Sequence, residues 1–412
     1  MVGFWTEVDS FDEERIFRES IRAFVEEFIN PLEDRAKRGE YEEVCRLIRR
    51  ESAKRGILGA CLPLEVGGQG AKAVFHGIGN EELGRGRVFG YGVVGILHER
   101  YAIFARSANP ELVKKWMPRI LNGEAIFGIG STEPRTGSDV ATMVTTATKK
   151  GDKYVINGEK GPISSIDRDD GWLLLARTGS PGSGAKGITQ FFVEKDLAGI
   201  EKYHFNTMES SANLGGIRLT NVEVPEDHVV GELNQGFIIQ MKSFELERAL
   251  IPFNVIGAAA ESLEAAVGYT KSRVVWGKPI ATFEGVMFPI VESVTKLDVV
   301  RVFAYHVLRL AESGKNISTE ASMLRWYVAR TALDSLDSCI QVSGAAGYTD
   351  IFPHERRYRW VRAHLLGHGS QEIQKLVTAR AVFGRQIYDL AMGRVQSKTP
   401  SSSEAASHKS GL

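Results

Sequence analysis

Cysteine is scarce: the 412-residue chain has three, and Cys45, Cys61 and Cys339 stand far apart. An odd, scattered set does not suggest a disulfide framework, and no Cys-x-x-Cys or Cys/His cluster offers zinc spacing. No charge sign dominates, because Lys+Arg and Asp+Glu both total 51. A nucleic-acid platform normally carries a basic excess, so none is expected, although local basic pockets for a phosphorylated ligand fit this balance. No uncharged apolar run reaches the roughly 18 residues that mark a membrane span. The stretch from Met1 to Asp12 is mixed and acidic, unlike a signal or transit peptide. The expectation is a cytoplasmic protein in a reducing compartment, with no metal, no nucleic acid and no membrane span.

What is present is enough apolar material, 43% of the chain, for a large core in more than one domain. Between Phe11 and Phe28, the residues Ile16, Ile21, Phe24, Val25 and Phe28 recur at helical spacing, and Pro31 reads as a stop. Further helices are expected at Val44–Ile57, Phe75–Leu83 and Pro110–Leu121. Near Phe127 the texture changes to short apolar runs: Lys153–Ile156, Trp172–Ala176, Ile188–Val193 and Ile217–Val224. Asn157-Gly158 after a β-branched run is a hairpin signal, and Ser180–Gly187 is a glycine-rich loop. From Gly236 the helical period returns, with Phe237, Met241, Phe244 and Ile251 on one face of a first helix. Other long segments follow at Gly257–Ser272, Gly285–Ser313, Ile317–Gly344 and Gln371–Met392. The fold expected is mostly α with a central β domain. Residues 1–126 form a helical domain, 127–235 a small antiparallel β barrel or sandwich, and 236–393 a four-helix bundle; 394–412 form a disordered tail.

The chemistry concentrates in Gly130-Ser131-Thr132-Glu133-Pro134-Arg135-Thr136-Gly137-Ser138-Asp139. Small and hydroxylated residues expose backbone N–H groups, so such a loop can bond a planar polar ring edge and approach a pyrophosphate. An ordinary Ser/Thr/Gly turn has the same composition. The spacing Thr132-Glu133-Pro134-x-x-Gly137-Ser138-Asp139 goes further and resembles the signature of acyl-CoA dehydrogenases. Tyr154–Lys160 looks like that family's next strand and turn, and Arg273-x-x-Trp276-Gly277-Lys278 is similar to its Arg-x-x-Phe-Gly-Lys. Gln341–Tyr348 and Ser370–Leu376 resemble its Gln-x-x-Gly-Gly-x-Gly-Phe and Thr-Ser-Glu-Ile-Gln-Arg-Leu. The likeness runs from about Phe11 to Met392.

The resemblance implies FAD as cofactor. It assigns the flavin and pyrophosphate to Ile129, Gly130, Ser131, Thr132, Ser138, Pro162, Ile163 and Ser164, and further FAD contacts to Arg273, Trp276 and Glu284. Gln341, Val342, Ser343, Gly344, Ala345, Ser370 and Glu372 complete the set. Contacts of the Arg273 and Gln341 kind come from a neighbouring subunit in the family, which implies a homodimer or homotetramer. An acyl-CoA or acyl-carrier-protein thioester is the implied substrate, approached by Ser138, Glu245, Leu246, Arg248 and Gly369, with an electron-transferring flavoprotein as partner.

The chain departs from the family pattern twice. Pro162 stands where relatives place a tryptophan over one flavin face, which puts the usual electron exit in question and opens the ring to oxygen. His368, in Gly367-His368-Gly369, stands where many relatives place the catalytic glutamate. An imidazole can itself act as base. The alternative is Glu247, in a segment resembling the Glu-Arg-Leu of isovaleryl- and long-chain-type relatives, and it shares a helical face with Phe244, Leu250 and Ile251. Glu247 is preferred, against a plain surface ion pair.

Other signals read as structural. Gly90–Gly95 fits GxGxxG as text without a βαβ context, and His364 with His368 lacks the glutamate of a zinc helix. Arg356, Arg357, Arg359 and Arg362 read as a solvated face or subunit contact, with docking of a phosphate of the ligand's carrier as the alternative, and Trp326, Tyr327 and Trp360 read as core or interface. The leading expectation is an α,β-dehydrogenase of acyl-CoA. Its rivals are a flavin oxidase or monooxygenase, an acyl-carrier-protein dehydrogenase, and a non-catalytic binding paralogue.

Overall fold

The first helix, α1 (Asp12–Phe24), opens with Asp12, Glu13 and Glu14 at its positive end. The computed structural model describes residues 4–88, 90, 93, 99–209 and 213–393. Ile21, Phe24 and Val25 form the buried stripe, while Ile16, expected there, is exposed. Pro31 does not stop the chain. It sits in the first turn of a 3-10 segment, Asn30–Leu32, where its missing N–H costs no helical bond. Helical backbone continues past left-handed Gly39 into α2 (Tyr41–Lys54). Next come α3 (Ala73–Arg85), α4 (Glu99–Ser107) and α5 (Pro110–Leu121). Asn109 caps α5 by accepting from the Glu111 N–H.

The β domain contains β1 (Gly128–Gly130), β2 (Thr146–Lys150), β3 (Lys153–Ile163), β4 (Gly171–Arg177), β5 (Ile188–Glu194), β6 (Ile200–His204), β7 (Gly215–Pro225) and β8 (Val229–Val230). Their order is β6-β7-β3-β2-β4-β5-β8, with β1 added on β4. Pairing is antiparallel except where β1, and one residue of β2, run parallel to β4. The β2–β3 hairpin lies between β1 and β4 in sequence, leaving chain enough for a parallel return. Asn157-Gly158 makes no hairpin, because β3 runs straight through it with a bulge between Ile156 and Gly158. Gly158 has φ 146°, and a Cβ there would stand 2.4 Å from Thr145 Oγ1, so glycine serves close packing rather than a turn.

The bundle begins with α6 (Gly236–Ser272), followed by the small hairpin β9 (Val274–Val275) and β10 (Lys278–Pro279). It ends with α7 (Glu284–Glu312), α8 (Ser318–Ser343), α9 (His354–Ala363) and α10 (Gln371–Ala391). α6 is one helix rather than two, and passes through Pro252 and Gly257. Gly257 is no break: a Cβ there would stand 1.9 Å from Glu81 O, so its bare backbone lets α6 lie against α3. Among the described residues α6 alone is long and apolar enough to cross a membrane, and 72% of its most apolar window is buried within the protein.

α3 packs on α1, α6 and α7 at once, which is why most of it is buried. Its two acids are satisfied there: Arg18 of α1 reaches Glu81 at 3.1 Å and Glu82 at 2.9 Å, and Arg301 of α7 reaches Glu81 at 2.5 Å. One arginine of the α9 cluster is also structural. Helical spacing puts Arg357 on the same buried face as Trp360 and Val361. Arg357 donates to Glu261, to Ser262 and to the carbonyls of Arg85 and Gly86, so it ties α9 to α6 and α3 rather than to water. The expected tail, 394–412, lies outside the described residues, as do residues 91–92 and 94–95 of the GxGxxG text.

Candidate active site

A cavity of about 430 Å³ opens where the three regions meet. The β domain supplies one wall: Ile129, Ser131, Thr132, Gly137 and Ser138, then Pro162, Ile163 and Ser164 from the end of β3 and beyond. Both stretches are pinned together, since the Gly161 N–H donates to Thr132 O at 2.9 Å. Behind them Glu133 is buried and accepts from the Val144 N–H at 2.8 Å, the Thr145 N–H at 2.9 Å and Lys160 Nζ at 2.8 Å. Burial lowers the Lys160 ammonium to about 8 against the pull of Glu133. Burial would raise the Glu133 carboxyl, but Lys160 and its donors outweigh that and hold it below the ordinary range. The signature loop is therefore held from within by a buried ion pair.

The facing wall comes from α6. Phe244, Glu247, Leu250, Ile251 and Asn254 recur every three or four residues and line the cavity on one helical face. Glu247 is 1% exposed, which excludes the surface ion-pair reading. The segment Ala363 to Ser370 closes this side. His368, at φ 57°, brings its Nε2 to 3.6 Å from Glu247 Oε2 and turns its ring edge-on to Phe244. The two residues the sequence offers as alternative bases thus meet at one point. Gly369, also left-handed, lets the chain pass Gln374 and Arg248: a Cβ would stand 2.6 Å from Gln374 Nε2 and 3.8 Å from Arg248 Nη2. His364 is buried, and burial, together with the Arg325 and His368 charges, pushes its imidazole well below the ordinary value. No group of His, Cys, Asp or Glu among the described residues is arranged to hold a metal ion.

The floor comes from helices on which the sequence offered no candidate. His76 and Asn80 of α3, with Glu99 and Arg100 of α4, complete the lining. Burial raises the Glu99 carboxyl to about 7; nearby Arg106 opposes the rise and Glu247 adds to it. The i, i+4 pair His76–Asn80, on one face of a helix whose acids Glu81 and Glu82 are paired elsewhere, is the one local signal that points to this floor.

The remaining assigned residues are placed elsewhere. Gly130 ends β1, and Glu245, Leu246 and Arg248 are half-buried beside Glu247 without lining the cavity. Arg273, Trp276, Glu284, Gln341, Gly344, Ala345 and Glu372 are exposed, and Val342 and Ser343 are buried at the end of α8. None of them lines this cavity, and Trp276 is 87% exposed.

The loop wall suits a flavin. Ser131 Oγ is buried without a hydrogen-bond partner among the described residues, and small side chains leave the backbone approachable. A helical domain, a β domain and a bundle that enclose such a cavity at their junction follow the plan of flavin-dependent oxidoreductases that dehydrogenate or reduce. The chain belongs to the acyl-CoA dehydrogenase family, whose N-terminal, middle and C-terminal domain models match residues 11–124, 128–222 and 234–383. It is 30% identical over 378 residues to a 3-(aryl)acrylate reductase of Clostridium sporogenes, covering 89% of this chain and 98% of that one. It is 29% identical over 376 residues to a caffeyl-CoA reductase–Etf complex subunit of Acetobacterium woodii, covering 89% and 97%. The crystal structure of an acyl-CoA dehydrogenase from Geobacillus kaustophilus superposes with a TM-score of 0.83 at 28% identity, covering 90% and 98%. The protein is an oxidoreductase with FAD as its cofactor.

Proposed function

We propose that the protein interconverts a saturated acyl thioester and its α,β-unsaturated counterpart, with Glu247 exchanging the α-proton. The position of Glu247 carries this reading: a buried carboxylate on α6 lines the same cavity as the signature loop. FAD held against the loop wall would supply the acceptor for the hydride lost from the β-carbon. Phe244, Leu250 and Ile251 present apolar surface to the acyl group. Glu247 takes the proton from the α-carbon in the forward direction and returns it in the reverse. His368 Nε2 stands 3.6 Å from Glu247 Oε2, so His368 acts beside the base rather than in its place.

The relatives named as reductases favour operation toward the saturated product in at least part of the family, and the same two side chains serve that direction. The name of the Etf-complex relative supports an electron-transferring flavoprotein as partner, while Pro162 on the loop wall favours direct oxygen use. Exposed apolar side chains on α7 (Phe288, Val291, Val299) and α10 (Val382, Phe383, Ile387) support a homodimer or homotetramer. In that assembly Arg273, Trp276 and Gln341 would reach a neighbouring FAD. Anaerobic mixing with acyl-CoAs tests the reading: bleaching of the flavin in the native protein and its loss in Glu247→Gln are the expected results.

A further inference from the structure

The floor of the cavity is polar where apolar side chains would pack. His76, Asn80, Glu99 and Asn254 line it and are each no more than 8% exposed. Burying such groups costs roughly 1–3 kcal/mol apiece unless they are hydrogen-bonded. Asn80 Nδ2 donates to Leu250 O at 3.4 Å, which turns Oδ1 the other way. Neither Asn80 Oδ1 nor Asn254 Oδ1 has a hydrogen-bond partner among the described residues. Glu99 adds a carboxyl, 3.5 Å from Arg106, whose shifted value lets it accept or donate near neutrality. Leu250 and Ile251 line the stretch between Glu247 and Asn254, so the cavity runs from base to floor over apolar surface. Asn254 lies two turns beyond Glu247 on α6, roughly 10 Å along the axis.

We propose that this floor is a subsite for a hydroxyl at the far end of the acyl group, a proposal that rests on the thioester reading of the site. The set is rich in acceptors, which selects a donor. Arg100, which holds Phe127 O at 2.9 Å, and Arg106 beside Glu99 place two cations at or next to the floor, which disfavours an ammonium. A methyl end would leave the amide oxygens buried and unmet.

The test compares ω-hydroxyacyl-CoAs of four to six carbons with alkyl acyl-CoAs one carbon longer and with the matching ω-aminoacyl-CoAs. Flavin bleaching rates and calorimetric binding are read on the FAD-loaded enzyme. The hydroxyl series should show at least a tenfold higher kcat/KM than the alkyl series. Asn80→Leu and, as a variant that keeps shape, Glu99→Gln should each reduce that preference about tenfold. Equal or better use of the alkyl or amino series, or a preference that survives both substitutions, overturns the subsite while leaving the thioester reading intact. No bleaching by any thioester overturns both.

Discussion

The Nε2 of His368 stands 3.6 Å from Oε2 of Glu247, and the two come from segments more than a hundred residues apart. The pairing separates their roles. Removing the imidazole leaves the carboxylate in place but without its partner, so His368→Leu should retain FAD and lower the rate of flavin reduction by about 10- to 100-fold. Glu247→Gln removes the proposed proton acceptor and should cost about a thousandfold or more. Stopped-flow reduction of both variants under anaerobic conditions checks the order, and a larger loss in His368→Leu would reverse it.

The pair between Glu133 and Lys160 makes a separate prediction. Lys160→Met leaves a carboxylate buried without its cation, which costs on the order of 3–5 kcal/mol. The melting temperature should fall and FAD should be lost more readily, because this pair holds the loop proposed to face the flavin. Glu133→Gln combined with Lys160→Met should recover part of the loss. Equal melting temperatures for native protein and Lys160→Met would contradict the clamp.

Much of this was legible in the sequence, and the limits are physical. The signature loop was legible through its resemblance to the family pattern, and the bundle helices and the burial of Glu247 through local spacing, because Phe244, Leu250 and Ile251 define one face without tertiary information. The bulge at Gly158, the continuity of α6 through Gly257 and the burial of Arg357 do not. In each case the residue answers to a partner distant in sequence: Thr145, the backbone of α3 and Glu261 respectively. The cavity floor was missed for the same reason. His76 and Glu99 sit on separate helices, and it is their packing against α6 that brings them to Glu247.

Glu99 gives the fold a pH signature. Its carboxyl rises from 4.5 to about 7 on folding, so the folded state holds the proton more tightly. That contribution to stability is fully present below about pH 4.5 and is lost as pH rises through 7, on the order of 3 kcal/mol in all. Asp169, raised to about 7 by burial, titrates in the same window. Glu99→Gln should therefore flatten part of the fall in stability between pH 4.5 and 7 in urea denaturation, while an unchanged profile would exclude the shift.

Gly369 tests the geometry of the segment that carries His368. At φ 85°, with Gln374 Nε2 2.6 Å from where a Cβ would sit, Gly369→Ala strains the backbone and pushes Gln374 away. Stability should fall by about 1–3 kcal/mol, with a matching loss of flavin reduction as His368 shifts from Glu247. Full activity in Gly369→Ala would show that the position of His368 does not depend on this turn.

The most direct test of the account is an anaerobic titration of the native protein and Glu247→Gln with a panel of acyl-CoAs, followed in the visible spectrum of the flavin. The account predicts bleaching of the native enzyme by at least one thioester, and an intact flavin spectrum that the same thioester does not bleach in Glu247→Gln. Bleaching of Glu247→Gln at the native rate would contradict it.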